Sequence, residues 1–178
     1  TLLQRQGDRP LNSTTANPAD KFDTSRASEY AGQSRIALAG YDACHDLAAC
    51  MLAASLGHSR SAKVLVVGAG GTAQEIIAMA TLEPNWSFTA VDPSEPMLEA
   101  ATQHLQANNL LHTTKVHLGH VDDLPADESF DAATLIGVLH HLNGDEQKHA
   151  ILQSIKARLK PGAPLIVAGN HYAYASQP

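Results

Sequence analysis

The sequence predicts an α/β fold in which helices cover both faces of a mainly parallel sheet. Short apolar segments alternate with helical ones along most of the chain, as they do when crossover helices join parallel strands. Residues 64–67 are apolar at every position, which is typical of a strand buried on both faces. A glycine-rich turn and a helical segment follow this strand directly. The expected architecture is therefore a Rossmann-like, doubly wound sheet.

Two regions precede the core of this fold. Residues 1–21 are polar and contain prolines, so we expect a flexible arm. Residues 22–60 have a helical pattern and are expected to form a lid, in which a helix over 41–56 packs on the sheet. The predicted apolar face of that helix contains Leu47, Met51, Leu52 and Leu56.

The core is assigned to residues 61–178. Apolar runs predict five strands, and segments with helical periodicity, ended by Pro or Asn, predict the helices between them. The strands are expected at 64–67, 86–91, 115–118, 130–136 and 165–168, and the helices at 73–82, 94–107 and 146–159.

The turn after the first strand has the features of a nucleotide-type site. Gly68, Gly70 and Gly71 let the backbone approach a ligand closely, because no Cβ intervenes. The helix that follows points the positive end of its dipole at the same place. About twenty residues further on, Asp92 ends the second strand, at the spacing of a ribose-binding carboxylate in a βαβ unit.

Composition excludes several classes of function. The chain of 178 residues has a net charge of −6 and only 12 Lys and Arg, without a basic cluster, so nucleic acid is not an expected partner. Its apolar runs are too short to span a membrane, and no secretory signal is visible, which predicts a cytoplasmic location. Cys44 and Cys50 lack the spacing of metal ligands and are expected to be buried, reduced thiols, so no metal is predicted.

Five motifs in order resemble the class I S-adenosylmethionine-dependent methyltransferases of the small-molecule type. The resemblance extends from about Phe22 to Gly169, and its last three motifs are the most specific. The motifs are VLVVGAGGT at 64–72, AVDPSEPML at 90–98, LGHVDDLP at 118–125, FDAATLIGVLHHL at 130–142 and LKPGAPLIVAG at 159–169.

This resemblance implies S-adenosylmethionine as the cofactor and a small molecule as the methyl acceptor. The glycine loop would wrap the methionine part of the cofactor, and Asp92 would hold the ribose hydroxyls. Residues after the second and third strands would surround the adenine, and the N-terminal helix would cover the ligand. The implied cofactor-binding residues are Gly68, Ala69, Gly70, Asp92, Pro93, Met97, His120, Val121, Asp122 and Tyr30.

The resemblance also indicates where a general base would act. His140 and His141 lie at the exit of the fourth strand, where the family places the methyl group and the substrate. Methyl transfer is a direct displacement, and a base is needed only when the nucleophile arrives protonated. Both histidines are therefore the candidate catalytic residues, with ordinary polar residues at a strand end as the alternative interpretation.

The chain departs from the family pattern at three places. Val66 stands where the family usually has an acid two residues before the first glycine, and Thr72 stands at its third glycine. The family sheet normally has seven strands, whereas only five are predicted here. We expect either a fragment of a longer protein or a short sheet whose edge another chain covers, as in a homodimer.

Two other functions are compatible with the same residues. A non-catalytic or regulatory S-adenosylmethionine-binding subunit would explain Val66 and the missing strands. An NAD(P)-dependent oxidoreductase would share the glycine loop, because Gly68, Gly70 and Ala73 also fit the G-x-G-x-x-A fingerprint.

Overall fold

A computed structural model describes residues 32–36, 40–57 and 60–169 of the chain. The predicted arm at 1–21 and the predicted ligand residue Tyr30 lie outside the described residues. A short helical segment at 32–36 comes first in the described part, and the remaining elements follow in the predicted order.

Five strands form one sheet in the order β3-β2-β1-β4-β5, and every neighbouring pair is parallel. This confirms the predicted doubly wound sheet. The strands are β1 (Lys63–Val67), β2 (Ser87–Asp92), β3 (Thr114–Leu118), β4 (Ala132–Ile136) and β5 (Leu165–Ala168).

Four longer helices connect or cover these strands, and their ends carry the signals expected from the sequence. The third has proline in its first turn, and the fourth ends before a turn in which Gly162 has a φ of 79°. The helices are α1 (Tyr41–Leu56), α2 (Gln74–Leu82), α3 (Glu95–Ala107) and α4 (Gly144–Arg158).

Strand β1 explains how one sheet supports two cores. Alternate side chains of a strand point to opposite faces. Val64 and Val66 pack with residues of α1, α2 and α3 on one face. Leu65 and Val67 pack with Phe130 and with α4 on the other. All four apolar side chains of this strand are buried, and helices therefore cover both faces of the sheet.

The predicted apolar face of α1 is wrong in part. Leu47 and Met51 are 61% and 49% exposed. The helix instead buries Tyr41, His45, Ala48, Ala49 and Leu52. Ala49 packs in the same core cluster as Ile76 and Met79 of α2, where a small side chain permits close approach of the helices.

Both cysteines of the chain are in α1, and the prediction for them is also wrong in part. Cys44 and Cys50 are free thiols, as expected. Cys44 is half-buried, whereas Cys50 is exposed because it lies on the outer face of the helix. Among the described residues, no group of His, Cys, Asp and Glu has the arrangement of a metal site.

Candidate functional site

The carboxyl ends of the parallel strands define the site. Ligands of doubly wound sheets bind at this edge, where neighbouring connections leave in opposite directions. Here β1 and β4 are neighbours at the centre of the sheet, and their connections lead to opposite faces. Two cavities open at this edge, and Gly68, at the end of β1, lines both of them.

The first cavity has a volume of about 240 Å³ and lies between α1, the glycine loop and the ends of β4 and β5. Its floor consists of backbone from three strand ends, since Gly68, Gly137 and Gly169 all contribute to the lining. The side chains of Tyr41, Cys44, His45 and Glu75 complete it.

The second cavity has a volume of about 330 Å³ and lies on the other side of Gly68. Pro93 after β2 and the segment after β3 form one wall, and residues of α4 form the other. Four of the predicted ligand residues line it besides Gly68: Pro93, His120, Val121 and Asp122.

Arg158, in the last turn of α4, fixes the segment that follows β3. Its guanidinium donates hydrogen bonds to the backbone oxygens of Asp122, Leu124 and Pro125. Arg158 is 9% exposed, so these bonds satisfy a buried charge. The wall formed by His120 and Val121 is therefore held by a side chain that the sequence did not single out.

The glycine loop is closed by hydrogen bonds to the neighbouring strand and helix. Gly68 N and Ala69 N donate to the Val91 oxygen at 2.8 and 3.2 Å. Gly71 N donates to the Met97 oxygen at 2.8 Å. These three amides face protein acceptors, so they stabilise the loop rather than point at a ligand.

Asp92 holds this loop through hydrogen bonds to two backbone N–H groups. Its Oδ2 accepts a hydrogen bond from Gly70 N and its Oδ1 accepts one from Ser94 N, both at 2.9 Å. Burial raises the pKa of the Asp92 carboxyl, while these two N–H groups oppose that shift. Asp92 lines neither cavity and lies directly behind Gly70, so its carboxylate shapes the loop, and its contact with a ligand stays a prediction.

Gly70 has no room for a side chain. A Cβ built on it would lie 2.5 Å from Met97 Cβ and 2.6 Å from Asp92 Oδ2. The predicted ligand residue Met97 is thus a buried support beneath the loop, on the evidence of its 4% exposure. Met97 lines neither cavity, so its predicted contact with the ligand stays a prediction.

Gly70→Ala is expected to destabilise the fold by about 1–3 kcal/mol, because the added methyl group must displace Asp92 and Met97. Urea denaturation of the two proteins measures this difference. Gly32→Ala is the matched control, since nothing lies within 4 Å of a Cβ at Gly32. Equal losses for both variants would contradict the steric explanation.

Helix α1 supplies three side chains that the sequence analysis did not assign to the site. Tyr41 Oη and Thr72 Oγ1 are 2.8 Å apart and share a hydrogen bond that joins α1 to the glycine loop. His45 Nδ1 lies 2.8 Å from the Tyr41 backbone oxygen, and Cys44 lies beside both on the cavity wall. The helical spacing of Tyr41 and His45, i and i+4, was the available signal, but nothing in the sequence said which face of α1 meets the loop.

The hydrogen bond of His45 determines its tautomer. The Tyr41 oxygen can only accept, so Nδ1 carries the proton and Nε2 keeps its lone pair. Burial lowers the pKa of His45 by disfavouring the charged ring. His45 is therefore a neutral imidazole with a basic nitrogen, on the wall of the first cavity.

We expect nuclear magnetic resonance to find His45 protonated at Nδ1 near pH 7, with a pKa below the ordinary histidine value of 6.5. Long-range ¹⁵N–¹H spectra across a pH titration distinguish the tautomers, and His45→Gln assigns the signals. Protonation at Nε2 near pH 7 would contradict the structure.

The predicted catalytic pair lies beside the first cavity. His140 and His141 belong to a short 3₁₀ turn after β4, and their rings are 4.0 Å apart. A Cβ built on Gly169, which lines the cavity, would lie 3.4 Å from His140 Nδ1. Burial lowers the pKa of His140. Neither histidine is among the residues that line either cavity, so their assignment stays a prediction.

A family model decides what kind of domain this is. The model of a methyltransferase domain matches residues 65–165, which is more than half of the chain. The chain belongs to the methyltransferase domain family. The match begins in β1 and ends at the first residue of β5. It contains the glycine loop and every residue that lines the second cavity, whereas the α1 and β5 residues of the first cavity lie outside it.

A curated relative agrees with this assignment. The methyltransferase domain is 34% identical over 109 residues to the mitochondrial ubiquinone biosynthesis O-methyltransferase of Candida albicans, covering 61% of this chain. The chain spans about a third of that relative's length, 32%.

Similar folds occur in solved structures with little sequence identity. A proposed S-adenosyl-L-methionine-dependent methyltransferase of Methanococcus maripaludis has a TM-score of 0.69 at 18% identity, over 90% of this chain and 68% of that chain. A methyltransferase of Thiobacillus denitrificans in complex with S-adenosyl-L-homocysteine has a TM-score of 0.53 at 22% identity, over 67% and 46%. These similarities show that this chain has the same fold as the two solved structures.

Proposed function

We propose that this chain is the cofactor-binding part of an S-adenosylmethionine-dependent methyltransferase that acts on a small molecule. The observation that carries the proposal is the pair of cavities that meet at Gly68, on the ligand-binding edge of a methyltransferase domain. An elongated ligand with an amino-acid part and a nucleoside part matches two adjoining cavities. The ligand named with the Thiobacillus denitrificans structure has these two parts.

The residues present fit such a ligand. Gly68, Ala69 and Gly70 would lie along the amino-acid part in the first cavity. The nucleoside would occupy the second cavity, with Pro93 on one side and Val121 on the other. Each Asp92 oxygen accepts one N–H and keeps a further lone pair, which a ribose hydroxyl between the cavities would use.

The chemistry needs little from the protein beyond alignment. When bound, the sulfonium cofactor supplies an activated methyl group. The chain's own residues hold the acceptor in line and exclude water, and the first cavity is where they do so. A base is required for a protonated acceptor, and we propose His140 or His141 for that role, with His45 as a rival on the cavity wall.

A small-molecule acceptor is supported by charge and by the cavities. The chain has a net charge of −6, and a nucleic-acid substrate would meet repulsion there. The curated relative is named as a ubiquinone biosynthesis enzyme, which also concerns a small molecule. No helix in the described part of the chain is long and apolar enough to cross a membrane.

Location and assembly stay predictions. We propose a reducing compartment such as the cytoplasm, which the free thiols of Cys44 and Cys50 suit, although the Candida albicans relative is named as mitochondrial. A homodimer would cover the edge of β5, where Val167 is 45% exposed. Analytical ultracentrifugation distinguishes a dimer from a monomer.

Calorimetric titration with S-adenosylmethionine, S-adenosylhomocysteine and NAD tests the proposal. Binding of both adenosyl compounds and none of NAD is the expected result. NAD binding alone would overturn the proposal. Binding of the adenosyl compounds without methyl transfer to any acceptor in a phenol, carboxylate and amine panel would favour the non-catalytic subunit.

A further inference from the structure

A buried carboxyl group lines the first cavity. Glu75, in the first turn of α2, is only 6% exposed and lines this cavity. Its Oε1 is buried and has no hydrogen-bond partner among the described residues. An unsatisfied buried carboxyl group is costly, so its retention at a ligand-binding edge requires an explanation.

The described residues around Glu75 provide no cation. Of those that line the cavity, none is Lys or Arg. The titratable groups nearby among the described residues are Tyr41, Cys44 and His45 of α1 and Asp92 of β2. Burial is the largest cause that raises the pKa of Glu75 to about 8, and the charge of Asp92 adds to it. The carboxyl group is therefore mainly protonated at neutral pH.

A buried hydroxyl group lies beside this carboxyl on the same side of the sheet. The Thr134 hydroxyl acts on the Glu75 carboxyl as a hydrogen-bond donor, which lowers the pKa of Glu75, and Oε1 is left without a partner. Thr134 is the cross-strand neighbour of Val66, in the centre of the sheet. Val66 is the β1 residue at which the family usually has an acid. The carboxyl group of Glu75, from α2, therefore lies next to the position where β1 lacks one.

We propose that Glu75 binds the ammonium group of the cofactor's amino-acid part and releases its proton when it does so. The inference rests on the proposed function. The O–H bond of the Glu75 carboxylic acid breaks, its proton passes to solvent, and the carboxylate pairs with the ligand's R–NH₃⁺, which stays protonated. Rotation of the Glu75 side chain brings the carboxylate to the cavity surface.

An ion pair between Glu75 and the ligand's ammonium group explains both the missing partner of Oε1 and the burial of a carboxyl group at the cavity. A cation in the cavity provides the partner that Oε1 lacks, and it stabilises the charged form of a group that burial keeps neutral. Binding is then linked to pH. Affinity for the ammonium-bearing ligand is expected to rise up to tenfold per pH unit below about pH 8 and to level off above it.

Calorimetry in buffers of different ionisation enthalpy tests the inference by counting released protons. The probes are S-adenosylhomocysteine, which has the ammonium group but no sulfonium, and 5′-methylthioadenosine, which has neither. At pH 7 the wild-type chain should release close to one proton per S-adenosylhomocysteine bound and none with 5′-methylthioadenosine. Glu75→Gln should abolish that release, weaken S-adenosylhomocysteine at least tenfold, and leave 5′-methylthioadenosine unchanged.

Different failures have different meanings in this experiment. S-adenosylhomocysteine binding to the wild type without proton release would overturn the inference and leave the proposed function intact. Proton release with S-adenosylmethionine but not with S-adenosylhomocysteine would assign Glu75 to the sulfonium and also overturn it. Absence of binding by either adenosyl compound would overturn the proposed function itself. The pH dependence of wild-type affinity for S-adenosylhomocysteine tests the same linkage without any variant, and a flat profile below pH 8 would contradict it.

Discussion

Asp92→Ala is expected to weaken S-adenosylhomocysteine binding about 10- to 150-fold, which corresponds to about 1.5–3 kcal/mol for hydrogen bonds to a charged group. The reason is twofold. The ribose would lose the acceptor that we propose for it, and Gly70 N and Ser94 N lose the two oxygens that fix the loop. Calorimetric titration of both proteins gives the ratio of dissociation constants.

The exposed carboxylate Asp127 offers a matched control, because Asp127→Ala removes the same group at a distance from both cavities. Thermal unfolding of Asp92→Ala without ligand separates the loss of loop support from the loss of a ligand contact. Unchanged affinity in a destabilised variant would assign Asp92 to the loop alone.

Glu75→Gln is expected to stabilise the ligand-free fold increasingly as pH rises, by up to about 1.4 kcal/mol per pH unit. The folded-state pKa of Glu75 is about 8, and the ordinary value for glutamate is 4.5. Between these values the folded chain binds a proton that the unfolded chain does not, so wild-type stability falls with rising pH. The glutamine variant has no such proton, and its slope lacks this contribution.

Urea unfolding at several pH values from 4 to 9 measures the difference between the two proteins. The difference should be constant below pH 4.5 and again above about pH 8, where both states of the wild type have the same protonation. Glu99, exposed on α3, provides the same exchange at the surface. A pH-independent difference for Glu75→Gln would show that the Glu75 carboxyl is ionised in the folded chain.

The strands and the loop could be predicted because a buried strand has an apolar pattern within a few consecutive residues. Val64 to Val67 are apolar on both faces only because helices cover both, and the distance from Gly70 to Asp92 is set by one strand-helix-strand unit. The structure confirms the parallel sheet that such alternation implies. These features depend on residues that are close together in the chain, so a single sequence is enough to predict them.

Contacts between segments that are distant in the sequence produce no such local pattern and could not be predicted. Leu47 and Met51 have the apolar character of core residues, yet the packing of α1 on α2 selects the alanine face instead. The sequence predicts for Glu75 only an ordinary acidic residue near a helix N-terminus. The fold shows that Glu75 is buried close to Thr134. The candidate site predicted from the sequence therefore lacked Tyr41, His45 and Glu75, whose places depend on contacts between elements.

The bond between Tyr41 and Thr72 couples the opening of two segments that are far apart in the chain. Local unfolding of the glycine loop must break this bond, and fraying of α1 at its first turn must break it too. A ligand that immobilises the loop should therefore slow amide hydrogen exchange in the first turns of α1 as well.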